Sequence, residues 1–149
     1  MIKLLKDVEL MYFGFYNKNG RKYMKNNINL SELNNFIVFG EIGYPNSFEV
    51  SMKNVSHAIS NFRIKDNILY GDIQILDTTS GKTLYELMKN INYVFRPRGK
   101  GLITDKGMIE NYNIYAFDAI PMNEDSFMTL IKMRNLKLNK LINKIKDKI

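Results

Sequence analysis

The chain has 149 residues, which suits one domain with a short appendage and excludes two full domains. With 45% hydrophobic and 25% charged residues, it has the composition of a soluble globular protein, not of a disordered or collagen-like chain. No apolar run approaches the roughly 18–20 residues of a membrane helix, and charges interrupt the N-terminal MIKLLKDVEL where a signal peptide is apolar. We therefore expect a soluble, unsecreted protein without membrane contact. Because the chain has no cysteine and a single histidine, we also expect no metal and no cofactor.

The positive charge is concentrated at the C-terminus. Residues 132–149 contain seven Lys and Arg and one Asp, a net +6 out of the +7 of the whole chain. A nucleic-acid-binding domain usually has a basic face of its own. Any attraction for polyanions is therefore expected to belong mainly to this tail.

Short β-type runs alternate with turn signals in the first half of the chain. The segment Asn17-Lys18-Asn19-Gly20 is a turn, in which Gly20 can take a positive φ. A polar turn at residues 65–67 lies between two β-rich runs and predicts a hairpin. The predicted strands of this half are residues 7–16, 36–39, 55–64 and 68–76.

A helix and two further strands complete the domain. The hydroxyl residues at 78–80 can cap a helix that runs to about residue 90, because apolar residues recur at helical spacing from Leu84. A strand at residues 93–96 leads into a turn-rich segment at 97–101, and residues 113–120 predict the last strand.

These elements predict an α+β fold with two parts. Residues 1–122 are expected to form a β-rich domain that contains the helix at 78–90. Residues 123–149 form a basic C-terminal amphipathic helix, because apolar residues such as Leu138 and Ile142 recur at helical spacing with lysines on the other faces.

His57 is the only histidine, and it lies in a predicted strand. A packed, hydrogen-bonded histidine is the more common role at such a position, and catalysis is the alternative. We expect the adjacent Ser56 to point to the opposite face of the sheet, where it cannot be a nucleophile served by His57.

The segment of residues 96–101 concentrates three cations and two glycines. Arg96, Arg98 and Lys100 are candidate ligands for an anion, although a solvated turn or a protein contact is more typical of such a segment. Carboxylates such as Glu41 show no spacing that predicts an acid–base pair or a metal site.

Three interpretations are open for the tail. It is a helix that docks on a partner, a helix that packs on the body, or an arm that binds a polyanion such as DNA. The tail residues expected to make these contacts are Lys137, Lys140, Lys144 and Lys148.

Six short motifs follow one another along the chain. The first three are NKNGRKY, GEIGYP and NVSHAI, which begin at residues 17, 40 and 54, and the last three are GDIQILDT, RGKG and YAFDAIP, which begin at residues 71, 98 and 115. In the same order, they resemble the N-x-N-G-R-x-Y, G-E-L-x-H-P, R-V-S-H-x-I, I-L-D-T, R-G-x-G and closing F-D-x-V motifs of the myovirus-type prohead core proteases, which process scaffold and capsid proteins inside immature phage heads. Together the six motifs cover about residues 14–126.

The resemblance implies a compact barrel-like sheet with flanking helices, similar to herpesvirus assembly proteases. In the family, the histidine of G-E-L-x-H-P is the expected general base and the first serine of S-S-R-G is the expected nucleophile. Tyr44 and Arg96 stand at these positions here, and Pro97 replaces the second serine. A tyrosine of ordinary pKa near 10 is a poor base at neutral pH, and a guanidinium offers no hydroxyl. His57 is retained as a supporting residue at most.

We therefore predict a catalytically inactive relative that acts as a structural or binding component of the phage head. Its partners would be capsid or scaffold proteins, met in the virion or in the host cytoplasm during assembly, and Arg96 and Arg98 would turn the former cleft into a site for an acidic peptide or anion. Three alternatives are an active serine protease with a rearranged site, an internal head protein that binds DNA through the tail, and a regulator of a host factor. A homo-oligomer is compatible with each of them.

Overall fold

The computed structural model describes residues 1–125, so the predicted tail helix beyond residue 125 and the four lysines predicted to make its contacts lie outside the described residues. Six strands and two α-helices make up the described part of the chain. The strands are β1 (Lys3–Tyr12), β2 (Val38–Gly40), β3 (His57–Lys65), β4 (Ile68–Ile75), β5 (Tyr93–Ile103) and β6 (Ile109–Pro121). The helices are α1 (Leu30–Asn34) and α2 (Thr79–Met88), and single 3-10 turns occur at Lys25–Asn27 and Met122–Glu124.

The first four strands form one antiparallel sheet in the order β1-β4-β3-β2. The predicted hairpin is confirmed as β3 and β4. Its turn residues Asp66 and Asn67 take φ values of 51° and 63°, a left-handed conformation that Asp and Asn tolerate and that two-residue hairpin turns require. Alternate residues of β4, from Leu69 to Ile75, are buried, as expected for a strand with one face on the core.

The long strands β5 and β6 pair with each other and are joined to the first sheet by the residues that follow β2. Ile42 forms a parallel bridge with Ala119, whose N–H donates to the Glu41 carbonyl at 2.9 Å. The Gly43 N–H donates in turn to the Ala119 carbonyl at 2.8 Å. The sheets of residues 1–125 do not close, so the fold is α+β and mostly β, and the barrel-like closure is not confirmed.

One apolar core is shared by the two sheets and α2. The largest of its fully buried hydrophobic side chains are Phe13, Phe95, Phe117, Leu10, Met11, Ile59, Leu69, Ile73, Ile75 and Leu84. Because Phe95 and Phe117 come from the second sheet, the core fixes that sheet against the first. This packing holds the residues of β5 discussed below in place.

The predicted helix at 78–90 is confirmed as α2. Its N-cap is Thr78, whose side-chain oxygen accepts the Gly81 N–H at 2.9 Å and also donates to the Val55 carbonyl at 2.6 Å. The turn at residues 17–20 is confirmed as well, with φ of +74° at Gly20.

Three predicted strands and one predicted turn were wrong in detail. The first strand is Lys3–Tyr12 rather than residues 7–16. The run predicted as a strand at 36–39 begins with two exposed residues, Phe36 at 69% and Ile37 at 64%, and only Val38–Gly40 is strand. The last strand begins at Ile109 rather than at residue 113. The predicted turn at 97–101 lies within the single strand β5.

The glycines of β5 mark irregular pairing rather than a turn. The register between β5 and β6 shifts after Arg98 and again after Lys100. A Cβ at Gly99 would lie 2.3 Å from the Asn113 carbonyl and 2.8 Å from the Tyr112 ring. Gly99 and Gly101 therefore allow β6 to approach β5 closely. In a single sequence, glycines with this role cannot be distinguished from glycines of a turn.

Gly40→Ala should destabilise the protein by about 2 kcal/mol or more, since the new Cβ would lie 1.9 Å from the Phe117 carbonyl and 2.2 Å from His57 Nε2. Gly20→Ala is the matched control. Its Cβ meets nothing within 4 Å, so only the strain of its positive φ remains, about 1 kcal/mol. Urea denaturation of both variants measures the difference, and equal losses would contradict the packing described here.

Candidate functional site

Four of the residues singled out from the sequence line one groove, with a volume of about 410 Å³. Tyr44 comes from the loop after β2, and Arg96, Arg98 and Lys100 come from β5. Other lining residues are Arg21, Tyr23, Pro45, Phe48, Pro97, Ile103, Ile109, Tyr112, Asp118 and Ile120. His57 does not line this groove. Its ring packs edge-on against Phe95, with centroids 4.8 Å apart.

Arg96 is buried and ion-paired inside the protein. Its Nε and Nη2 donate to the two carboxylate oxygens of Asp125, each at 2.9 Å, and both side chains are almost fully buried. Its Nη1 donates to the carbonyls of Glu9 at 3.0 Å and Phe95 at 3.1 Å. The guanidinium is therefore directed towards Asp125 and β1 rather than towards open solvent.

Arg98 joins two buried carboxylates. It donates to Asp118 from Nε at 2.9 Å and from Nη2 at 3.0 Å, and Nη2 also donates to Glu41 at 2.8 Å. Its Nη1 donates to the carbonyls of Ser47 at 2.7 Å and Glu49 at 3.0 Å, which fixes the loop of residues 44–51 on β5. One cation thus serves two anions and the loop backbone.

The pKa values of this cluster reflect burial and ion pairing. Burial raises the pKa of Asp118 above its usual range, and the neighbouring Arg98 guanidinium only partly offsets this. Burial also opposes the charge of Arg98, but hydrogen bonds and charge attraction from Asp118 and Glu41 outweigh it, so the pKa of Arg98 is raised. The guanidinium is therefore charged at neutral pH.

Lys100 and Tyr44 are the exposed members of the four. Lys100 lies with its ammonium 5.9 Å from the centre of the Phe48 ring, a cation–π contact at the rim of the groove. The Tyr44 hydroxyl donates to the Glu124 carbonyl at 3.3 Å. Partial burial and the nearby carboxylates of Glu124 and Asp125 raise the pKa of Tyr44 above 10, so its hydroxyl is protonated at neutral pH.

Ser56 contacts His57, contrary to the expectation that the two side chains lie on opposite faces. Ser56 precedes β3, so strand alternation does not govern its direction, and its Oγ lies 2.7 Å from His57 Nδ1. His57 Nε2 lies 2.5 Å from the Phe117 carbonyl, which can only accept, so Nε2 carries the proton and Nδ1 accepts from Ser56.

This serine–histidine pair is sealed from substrate. Both residues have an exposed fraction of 0%. Burial lowers the pKa of His57 to about 4, and the Phe117 carbonyl only partly offsets the effect. The imidazole is therefore neutral at physiological pH, with both nitrogens engaged, which is the packed role expected as the more common one.

Sequence reasoning missed the three acids that hold the arginines. Asp118 and Glu41 lie within two of the six motifs. The available signal was that two arginines directly follow the apolar residues 93–95, where burial would require carboxylate partners. Nothing in the sequence around Asp125 pointed to its role.

Among residues 1–125 there is no group of three or more His, Asp and Glu side chains that could hold a metal ion. In the same residues, no helix is long and apolar enough to span a membrane.

A second and larger groove, of about 620 Å³, lies between α1, β2 and β6. Its lining includes the exposed side chains of Phe36, Ile37 and Tyr115 beside β2, the edge strand of the first sheet. None of the four residues of the first groove lines it.

The fold is similar to that of the bacteriophage T4 capsid assembly protease. The match has a TM-score of 0.66 and covers 79% of this chain and 90% of that chain, at 18% sequence identity. No protein-family model matches the chain, and no curated protein matches its sequence. The predicted prohead-protease-like fold is therefore confirmed as a fold.

Proposed function

We propose that this chain is a non-hydrolytic phage head protein that uses the fold of a capsid assembly protease to bind head proteins without cleaving them. The observation that carries this proposal is the state of Arg96. At the position that matches the family's nucleophile stands a buried guanidinium held by Asp125, with no hydroxyl to attack a peptide bond.

The remaining chemistry of residues 1–125 supports inactivity. Tyr44, at the position of the family's base, has a raised pKa and keeps its proton at neutral pH. The one serine–histidine contact, Ser56 with His57, is fully buried and its histidine is neutral. Neither group can accept a proton from a nucleophile in the groove.

Binding would use the groove itself. Arg21 and Lys100 bring cations to its lining, and Tyr44, Phe48 and Ile103 are its exposed apolar side chains. An extended segment that carries acidic and apolar residues would match both features. The proposed partners are capsid or scaffold proteins, met in the virion or in the host cytoplasm during assembly.

The tail is proposed to provide a second contact. The net charge of +6 on residues 132–149 suits an acidic head protein or packaged DNA. Binding through Lys137, Lys140, Lys144 and Lys148 would weaken steeply as salt is raised, whereas binding in the apolar part of the groove would not. A salt titration therefore separates the two contacts.

The test of the proposal asks first whether any serine is reactive. We expect a fluorophosphonate probe to leave the full-length protein unlabelled under conditions in which the bacteriophage T4 capsid assembly protease is labelled. Intact-mass spectrometry measures the adduct. A stoichiometric adduct on any serine would establish the alternative, an active protease with a rearranged site.

The second half of the test asks whether the protein is part of the head. Quantitative mass spectrometry of precursor heads and mature virions of the source phage should find the intact chain at a fixed copy number. Its absence from both particles would remove the head component from the proposal and favour the regulatory alternative.

A further inference from the structure

The last described residues of the chain lie against the first groove. The Glu124 carbonyl accepts from the Tyr44 hydroxyl at 3.3 Å, and the Asp125 carboxylate accepts both parallel hydrogen bonds of Arg96 at 2.9 Å. Asp125 is only 2% exposed. Residues 122–125 thus contact both positions at which the family motifs place a base and a nucleophile.

The rest of the structure holds the Arg96 guanidinium in place independently of Asp125. Its Nη1 donates to the Glu9 and Phe95 carbonyls, and its Cζ lies 5.3 Å from the centre of the Tyr12 ring. Nε and Nη2 lie side by side and both donate to Asp125, in the geometry that binds a carboxylate in bidentate fashion. A preorganised fork of this kind is a receptor for a carboxylate and not only half of a salt bridge.

We propose that Arg96 is a carboxylate-binding site whose resident ligand is Asp125 of the same chain. An acidic segment of a partner takes the place of residues 122–125 in this site. The proposal rests on the proposed function, because it assigns the chemical class of the segment that the groove binds. Exposed cations at Arg21 and Lys100 favour a second acid in the same segment.

Competition sets the conditions for exchange. Because Asp125 is tethered, its effective concentration at Arg96 is in the millimolar range typical of short linkers, and a free acidic peptide competes poorly. A partner presented in many copies on a capsid lattice, or held at the same time by the basic tail, competes much better.

Formate is the first probe, used on full-length protein. Asp125→Ala leaves the buried fork without its anion, and we expect its melting temperature to fall by about 10 °C. Sodium formate should raise the melting temperature of this variant by several degrees relative to sodium chloride at equal ionic strength. Wild type and Asp77→Ala, which removes an exposed acid, should not respond. Equal responses in all three proteins would overturn the proposal.

A labelled peptide that copies residues 122–127 (MNEDSF) is the second probe. By fluorescence anisotropy it should bind Asp125→Ala at least about tenfold more tightly than wild type, because the tethered competitor is lost. The same peptide carrying Asp125→Asn should lose this preference. Should Asp125→Ala not fold, Asp125→Ser, which also removes the carboxylate and leaves its volume open, takes its place in both experiments.

If the two peptides bound Asp125→Ala with equal affinity, the proposal that a partner's acidic segment replaces Asp125 at Arg96 would be overturned. The outcome is separable from that of the proposed function. A fluorophosphonate adduct would show that the protein has a reactive serine, and it would not affect the interpretation of the formate experiment. If formate left the melting temperature of Asp125→Ala unchanged, the carboxylate site would be refuted, but the proposed lack of catalysis would not.

Discussion

Between pH 7 and pH 4, the free energy of unfolding of the wild-type protein should fall by about 3 kcal/mol more than that of a His57→Gln variant. The reason is that burial lowers the pKa of His57 to about 4 in the folded protein, whereas an unfolded histidine titrates near 6.5. Between pH 6.5 and pH 4, His57 therefore binds a proton in the unfolded chain but not in the folded protein. The contribution of neutral His57 to the free energy of unfolding is fully present above pH 6.5. It is lost as the pH falls towards 4, at about 1.4 kcal/mol per pH unit.

Gln is a suitable replacement at position 57, since its amide can still donate to the Phe117 carbonyl but does not titrate. Other groups, including Asp118, also change charge at acid pH, and subtracting the two curves removes their contribution. Urea denaturation at half-unit pH intervals gives both curves. Parallel curves would mean that His57 titrates as an exposed residue, and His57 would again be a candidate base.

Local sequence patterns predicted the elements whose causes are local. The β3–β4 hairpin follows from two β-rich runs around Asp66 and Asn67, and α2 follows from the cap at Thr78 and apolar residues at helical spacing. Both depend on neighbours a few residues apart. The ordered motifs added the protease-like fold, which no single element specified.

The errors occurred where distant residues decide the structure. Gly99 reads as a turn residue unless the approach of Asn113 and Tyr112 is known. Ser56 was predicted to lie on the wrong face because the strand begins at His57, so Ser56 is outside it. The start of a strand is set by its partner strand, which a single sequence does not display.

The residues that line the candidate site were predicted from the sequence, but their ion-pair partners were not. Tyr44, Arg96, Arg98 and Lys100 do line one groove. No local pattern identifies which acids pair with Arg96 and Arg98, because Asp125 lies 29 positions from Arg96 and Glu41 lies 57 from Arg98. Pairings of this range depend on the fold.

Arg98→Ala should destabilise the protein by about 3–5 kcal/mol, since it leaves two buried carboxylates facing each other without a cation. It also removes the hydrogen bonds that hold the carbonyls of Ser47 and Glu49 on β5, so residues 44–51 should become a site of rapid limited proteolysis. Arg63→Ala is the matched control. That arginine is also bound to two carboxylates, but its side chain is 40% exposed, and its loss should cost about 1 kcal/mol or less.

The pH dependence of this deficit identifies its cause. Without Arg98, the pKa of Asp118 should rise further, because burial and the charge of Glu41 would then be opposed only by the hydrogen bond from the Glu41 backbone N–H. Protonation of Asp118 then removes its repulsion with Glu41. The loss of unfolding free energy in Arg98→Ala relative to wild type should therefore shrink as the pH falls from 7 towards 5. Arg98→Ala combined with Asp118→Asn should likewise recover part of the loss at pH 7. A deficit that is constant with pH and unaffected by Asp118→Asn would assign the role of Arg98 to packing of its alkyl chain instead of to charge.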